Sequence, residues 1–489
     1  MGALMTTTFA HRDYLKYAPK WKLIKDVVSG KDDVDAAGET YLPKPLGRTD
    51  SEYAAYQKRA VLYNTTARTL DGLLGALFRK KPKIYLPETV KYLEDDCDGQ
   101  GNSLEQFAKE VALNTISVNR YGILVDFPQA KGVSNLAEER KLNLTAHLCA
   151  YSAESILYWR TKRVGSKEIL TLVVLEEKTF DEIGLFSEEE NTSYRVLRLD
   201  SEGRYVNEIY QETEVKDKNG RVTTDLIQTS ETIMPLMPGE KPLNYIPFYI
   251  VGGVSPTKPP MYDLARLNLS HYINSADYEE SIFMIGQPTP WIAGLSDTFI
   301  ENNKGDLRIG SRAAWLLPEG TTVGLLESKA EKSYILKAME QKESQMVGIG
   351  ARILLDNSSR GSESVESVQL RRSGEASLLA CMADDISRIL SKALSVAAKW
   401  MGTEEEAVVL LNKDFFSERI SHQDINSLVA AWQSNAISHS VLLDNLRRGE
   451  VIAENVEDEE IIGELESQGL DLGMLGEADG DEGSTSGST

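Results

Sequence analysis

The sequence predicts an α+β fold that is mainly helical, and three observations support this class. The first is a pair of long segments with helical apolar spacing, Glu331–Leu355 and Ser364–Met401, neither of which contains proline. The second is a region of short apolar runs bounded by turn residues, between about 120 and 250, which is typical of strands. The third is a hydrophobic content of 41% over 489 residues, enough to fill the cores of two to four domains.

The N-terminal region predicts helices and strands in one mixed domain, residues 1–255. His11–Val28 and Ser51–Phe78 have the apolar spacing of helices, and the proline-containing segment Gly38–Arg48 between them is a predicted loop. Leu104–Ser117 is a predicted helix that Ser103 and Gln106 begin as a capping box. The predicted strands are Gly122–Phe127, Ile169–Val174, Tyr194–Leu199 and Tyr205–Gln211, the last two joined as a hairpin by Asp200–Gly203.

The region after 255 begins with prolines and then predicts a helix, a small β module and more helices. The predicted elements are the helix Tyr262–Ile285, short strands within Trp291–Leu326 that include Ala313–Leu317 and Val323–Leu326, the two long helices, a strand at Val408–Leu411, and helices at Gln423–Gln433 and Ser440–Arg447.

The two long helices are joined by a polar loop, which is the candidate functional site. At about 1.5 Å per residue, Ser364–Met401 would span roughly 55 Å, and Gly374 in its interior is a predicted kink. The loop residues are Asp356, Asn357, Ser358, Ser359, Arg360, Gly361, Ser362 and Glu363, none of which is apolar. The composition predicts an exposed, mobile loop at the tip of a stiff helical hairpin, with an ordinary helix connection as the alternative.

The motif search predicts no catalytic residue, no cofactor and no metal site. The P-loop motif is absent, because the nearest glycine spacing, Gly305 to Gly310, lacks the lysine that holds phosphates. Asp126 is predicted to cap the end of an apolar strand, and the five histidines are scattered along the chain. The three cysteines form no C-x-x-C pair and are predicted to be reduced, mostly buried thiols. No apolar run approaches the roughly 20 residues of a membrane span, so no membrane partner is predicted.

The charge is acidic and concentrated at the C-terminus. Residues 449–489 carry −13 of the total charge of −22 and no lysine or arginine. The segment 450–489 is a predicted disordered tail, because it has too few large apolar residues to offset the entropy of ordering. The acidic body argues against tight sequence-independent binding of DNA, which depends on basic side chains that neutralise phosphates.

The order of these elements resembles the portal proteins of tailed bacteriophages, and more specifically a portal-like family of uncharacterised phage proteins. The segments that carry the resemblance are Gly122–Asp126, Gly348–Leu354, Arg371–Ser377, Asn412–Phe416, Asn435–Ser438 and Leu446–Glu450. The resemblance covers most of the chain apart from the acidic tail.

The resemblance implies a role for each region. It implies a wing domain at 1–255, a stem helix at 256–286, a clip β module at 287–327, a second stem helix at 328–355, a tunnel loop at 356–363, a long kinked helix with a wing strand at 364–420 and crown helices at 421–449. About twelve subunits would then form a ring at one capsid vertex, the channel for DNA packaging and ejection.

The implied partners are the large subunit of the terminase motor, a head-tail adaptor, the major capsid and scaffolding proteins, and double-stranded DNA held weakly in the channel. The implied location is the virion, with assembly in the host cytoplasm, and the implied role is structural and not enzymatic. Two alternatives remain open at the level of sequence: a nucleic-acid-processing enzyme with an unrecognised metal site, and a scaffold or adaptor that forms no ring.

Overall fold

The computed structural model describes residues 10–128, 144–216, 222–239, 241–286, 289–302, 317–326, 333–349, 365–413, 415, 422–434, 436–448 and 451–452. The chain forms two compact units, Met1–Lys413 and Asp414–Thr489. Among the helices in these ranges, none combines the length and the apolar character that crossing a bilayer requires.

Helices account for most of the regular structure, as predicted. In the first unit they are α1 (Arg12–Ser29), α2 (Lys31–Ala36), α3 (Asp50–Arg59), α4 (Thr65–Leu77), α5 (Leu104–Val118), α6 (Tyr262–Gly286), α7 (Asp297–Asn302), α8 (Ser333–Ile349) and α9 (Val365–Trp400). In the second unit they are α10 (His422–Gln433) and α11 (His439–Arg448), close to the predicted bounds.

The strands are β1 (Lys83–Tyr85), β2 (Tyr121–Asp126), β3 (His147–Ser152), β4 (Ile156–Val164), β5 (Lys167–Gly184), β6 (Ser187–Leu199), β7 (Tyr205–Lys216), β8 (Val222–Gln228), β9 (Leu236–Met237), β10 (Lys241–Pro242), β11 (Phe248–Val251), β12 (Thr289–Ala293), β13 (Thr322–Leu326) and β14 (Val408–Leu410). Their sheets have the orders β11-β2-β3, β4-β5-β6-β7-β8, β1-β14, β12-β13 and β10-β9, and every pairing is antiparallel.

The prediction of one helix over Ser51–Phe78 is wrong, because two helices occupy this segment. The chain leaves helical geometry at Ala60 (φ −58°, ψ 141°), and α4 begins where the Asn64 side chain accepts a hydrogen bond from the Ala67 N–H at 3.0 Å. A residue of another helix stabilises this break. The Ser275 hydroxyl on α6 accepts a hydrogen bond from the Val61 N–H and donates one to the Val61 carbonyl. The apolar spacing continues through the break and could not reveal it.

The capping box predicted for α5 is confirmed. The Ser103 hydroxyl accepts a hydrogen bond from the Gln106 N–H at 3.3 Å, and the Gln106 side chain accepts one from the Ser103 N–H at 2.9 Å. This arrangement satisfies backbone donors that the first helical turn would otherwise leave unpaired.

The three-stranded sheet lies at the centre of the first unit, with β2 as its middle strand. Residues 123–125 of β2 are fully buried, and α5 and α9 both pack against this strand. Gly122 is required there because a Cβ added to it would lie 2.4 Å from a ring carbon of Phe248 on the neighbouring strand β11. The sequence predicted β2 but not its neighbours β3 and β11.

The five-stranded sheet extends well beyond the strands that the sequence predicted. Strand β5 runs from Lys167 to Gly184, whereas the apolar run predicted only Ile169–Val174. The additional residues pair with β6 as far as the turn, where both strands are largely exposed. Alternation of apolar and polar residues is absent where neither face is buried, so the apolar pattern ended before the strand did.

A row of serines fastens α9 to the β14 segment. The hydrogen bonds join Ser387 Oγ to the Leu411 N–H (3.0 Å), Ser391 Oγ to the Val409 N–H (2.9 Å) and Ser395 Oγ to the Ala407 N–H (3.1 Å). The serines are four residues apart and therefore on one helical face, and the peptide groups belong to alternate residues of an extended chain. The other edge of β14 pairs with β1, so this serine ladder takes the place of a third strand.

Candidate functional site

Helices α6 and α8 pack as an antiparallel pair, because His271 of α6 lies near Glu343 of α8, whereas the earlier residue Leu264 lines a cavity with the later residue Ile349. The Lys342 ammonium donates a hydrogen bond to the Ser270 carbonyl at 2.8 Å, and the His271 ring lies 3.1 Å from the Glu343 carboxylate. Met346 is fully buried in this contact region. With 25 and 17 residues, the two helices measure about 37 and 25 Å.

Polar contacts bind α6 to the N-terminal region between Asn268 and Glu280, a span of a little more than three helical turns. These contacts are Asn268 Oδ1 with the Thr66 N–H (3.1 Å), the Tyr272 hydroxyl with Asp35 (2.6 Å), Asp277 with the Tyr56 hydroxyl (2.7 Å), and Glu280 with Arg48 (2.7 Å) and Arg59. Glu280 is the last of these anchors, and the final turn of α6 continues past it.

Glu280 is a nearly buried carboxylate held by two guanidinium groups. Its side chain is 10% exposed, whereas those of Arg48 and Arg59 are 24% and 25% exposed. Burial disfavours the carboxylate, but the hydrogen bonds from Arg48 and Arg59 outweigh it and hold the pKa of Glu280 below its usual range. This cluster fixes the helix at the point where it leaves the body of the unit.

Beyond Glu280, the helices α6, α7 and α8 and the β12–β13 hairpin expose ten large apolar side chains, which we call the distal patch. It consists of Ile282, Phe283, Met284, Ile285, Trp291, Ile300, Val323, Leu325, Tyr334 and Leu336, each at least 41% exposed. Trp291 lies on one face of the hairpin and Val323 and Leu325 on the other, so both faces expose large apolar side chains. An exposed apolar surface of this kind is typical of a protein interaction site. The distal patch therefore has the character of a surface that another protein chain covers.

The β12–β13 hairpin has no core of its own within the ranges that the structure describes. No residue of 290–301 or 317–325 is buried. Trp291 lies across Gly324 of the partner strand, where an added Cβ would come within 2.7 Å of the indole. An isolated two-stranded sheet is at best marginally stable in water, so further contacts are needed to hold this hairpin.

The described residues include none of the predicted tunnel loop. The loop Asp356–Glu363 lies outside them, as do residues 313–316 of the predicted strand Ala313–Leu317 and all of the acidic tail except 451–452. The segment 297–302, within the predicted clip, is a short helix that the sequence did not predict. Helix α9 is continuous through Gly374, and the predicted kink at this residue stays a prediction.

The structure brings together three potential metal ligands that the sequence analysis treated as unrelated. Asp126, His147 and Cys149 are half-buried, and one ligand atom from each lies within 4.8 Å of the others. Asp126 also accepts the Phe127 N–H at 3.0 Å, as predicted for a strand-end cap, and binds Arg195 at 2.9 Å. Only the pairing of β2 with β3 creates the cluster, and sequence spacing gives no signal for it.

The cysteines differ in exposure more than predicted. Cys97 is buried, Cys149 is intermediate and Cys381 is exposed, and none of them forms a disulfide. Burial, together with the nearby Asp126 carboxylate, raises the pKa of the Cys149 thiol to about 12. In the absence of a cation, this side chain is a neutral thiol at physiological pH.

Comparisons with known proteins give a partial family match and remote structural similarity. The model described as "Domain of unknown function (DUF4055)" matches residues 260–401, a segment that begins just before α6 and ends just after α9. No curated protein matches the chain.

Among solved structures, the chain is similar to a chain of "Virion of native gene transfer agent (GTA) particle", with 12% identity, 90% of this chain and 99% of that chain covered, and a TM-score of 0.35. It is also similar to a chain of "Neck of native GTA particle computed with C12 symmetry", with 11% identity, coverage of 86% and 98%, and the same TM-score.

Proposed function

We propose that this protein is the portal protein of a tailed-phage-like particle, a ring at one capsid vertex through which DNA is packaged and ejected. The observation that carries the proposal is the distal patch on an antiparallel helix pair that ends in a hairpin without a buried core. A head-to-tail ring would cover these surfaces with the next copy of the chain, since heterologous contacts form a ring when the rotation between copies closes. The order of sequence elements supports the same assignment.

In this proposal α6 and α8 are the stem, and the β12–β13 hairpin belongs to the clip, which contacts the terminase motor and later the head-tail adaptor. Helix α9 is the long helix that joins the wing to the crown, and α10 and α11 form the crown. The chain acts structurally, and the separate motor supplies the energy of nucleotide hydrolysis. Its other partners are the capsid and scaffolding proteins and the DNA that passes along the channel.

The oligomeric state tests this proposal directly. Native mass spectrometry or light scattering of the purified chain should give one large species of about twelve subunits, and negative-stain images should show rings. A monomer or dimer at micromolar concentration across several salt concentrations would contradict the ring and favour the scaffold or adaptor alternative. Metal-dependent turnover of nucleic acid by the purified chain would favour the enzyme alternative.

Shortening the tunnel loop should separate assembly from DNA transport. We expect replacement of Ser358–Ser362 by a shorter glycine linker to leave rings intact, because the five residues include no apolar side chain that a core would need. Packaged genome length or its retention should fall, since converging loops would set the narrowest aperture and present Arg360 to phosphates. Genome length per particle measures the effect, with ring integrity checked by microscopy. Normal packaging and retention would reduce the loop to a connector.

A further inference from the structure

The cluster at the end of β2 and β3 has the layout of a small coordination site. Asp126 and His147 are direct partners across the two antiparallel strands, and Cys149 is two residues further along β3, opposite Leu124. Cross-strand partners and residues two apart share one face of a sheet, so the three side chains point the same way. Among the residues that the structure describes, no other group of three such side chains comes together.

The charges around the cluster are suited to a divalent cation. Arg195 binds Asp126 at 2.9 Å and Glu177 at 2.7 Å, so one positive charge faces two carboxylates. With Cys149 as a thiolate, the local charge would be −2, which a divalent ion would neutralise. Asp126 keeps capacity for a further ligand bond, because its two hydrogen bonds use about half of the lone-pair positions of a carboxylate.

A second observation, independent of the three ligands, is the hydroxyl of Tyr205. This side chain is only 1% exposed, yet its oxygen finds no hydrogen-bond partner among the described residues. Burial raises the pKa of this hydroxyl, and the nearby Asp126 carboxylate raises it further. A buried hydroxyl without a partner is unfavourable, and a metal-bound water is one group that would satisfy it.

We propose that Asp126, His147 and Cys149 bind a zinc ion, with a water molecule in the fourth position next to the Tyr205 hydroxyl. A thiolate and an imidazole favour zinc over calcium or magnesium, which prefer oxygen ligands. In a tetrahedral zinc site the ligand atoms are roughly 3.5 Å apart, so the present spread of up to 4.8 Å contracts on binding. The ion would join β2 to β3 where the chain leaves one strand and enters the other.

Zinc and cobalt binding to the full-length chain test this site. After removal of metal with a chelator, titration with ZnCl₂ should give one ion per chain, and CoCl₂ should produce a thiolate-to-cobalt charge-transfer absorption. Cys149→Ser should remove that absorption and weaken zinc binding at least about tenfold, and His147→Gln should weaken zinc binding similarly. Cys381→Ser is the matched control, because it removes an exposed thiol elsewhere and should change neither result.

Circular dichroism and melting of each variant in chelator show whether the metal-free fold is intact. If Cys149→Ser does not fold, His147→Gln decides the question, since this residue is half-buried on the last pair of the two strands. Absence of stoichiometric zinc from the parent would overturn the proposal. So would zinc affinity that is unchanged in the folded His147→Gln variant, or cobalt binding without a thiolate band.

Discussion

Replacing Phe283 and Trp291 together with serine is expected to prevent ring assembly while the subunit remains folded. The two side chains are 41% and 43% exposed in the subunit, so a neighbouring copy would bury their remaining apolar surface. Losing both should cost about 3 kcal/mol or more per interface, which is more than a hundredfold in its equilibrium constant. Light scattering should show monomers at concentrations where the parent forms rings.

A matched control for this double variant is Leu46→Ser, which removes a fully exposed apolar side chain far along the sequence from the distal patch. It should assemble like the parent. Circular dichroism and the melting temperature of the monomeric fraction verify that the double variant is folded. Rings of normal size and stability in the folded double variant would show that the distal patch is not the contact between subunits.

Replacing Glu280 with alanine is expected to destabilise the first unit by about 2–3 kcal/mol. The change leaves Arg48 and Arg59 without their carboxylate while both are three-quarters buried. Removing one member of a buried ion pair costs about 3–5 kcal/mol, and the partial exposure of the arginines reduces that cost here. Chemical denaturation of the parent and the variant measures the difference. As a control, Asp50→Asn breaks an ion pair with Lys44 at a fully exposed carboxylate in the first turn of α3 and should lower stability much less than Glu280→Ala does.

The same cluster gives stability a specific pH dependence. The pKa of Glu280 is lower in the folded chain than in the unfolded chain, where a glutamate titrates near 4.3. Its contribution is therefore present above about pH 4.3 and is lost as the pH falls through the lower folded value. The difference in melting temperature between the parent and Glu280→Gln should be largest near pH 7 and shrink in acid. A difference that is constant with pH would show that the carboxylate charge does not stabilise the fold.

The sequence was informative wherever local chemistry decides the structure. The capping box at Ser103 and Gln106 predicted the start of α5. The end of the polar loop and the apolar stripe together predicted α9 to within a residue at each end. The polarity of 356–363 identified a candidate loop, although these residues lie outside the described structure.

The sequence-based predictions failed where contacts between residues far apart in the sequence determine the structure. The break between α3 and α4 depends on Ser275, about 200 residues away, and the outer half of β5 depends on pairing with β6 and not on an apolar face. The anchors of α6 and the cluster of Asp126, His147 and Cys149 likewise exist only after the chain has folded. Spacing along one chain carries no information on such contacts.

The serine ladder between α9 and the β14 segment determines how a load on α9 would be carried. Four residues of helix rise about 6 Å, whereas two residues of strand advance about 6.7 Å, so the two repeats drift apart by less than 1 Å per step. Three successive serine-to-backbone hydrogen bonds tolerate this difference between the two repeats. In a much longer row the donors and acceptors would no longer be aligned. Because α9 and the strand run in opposite directions side by side, a pull along the helix axis strains all three bonds at once, in shear. A pull away from the helix would instead break them one after another.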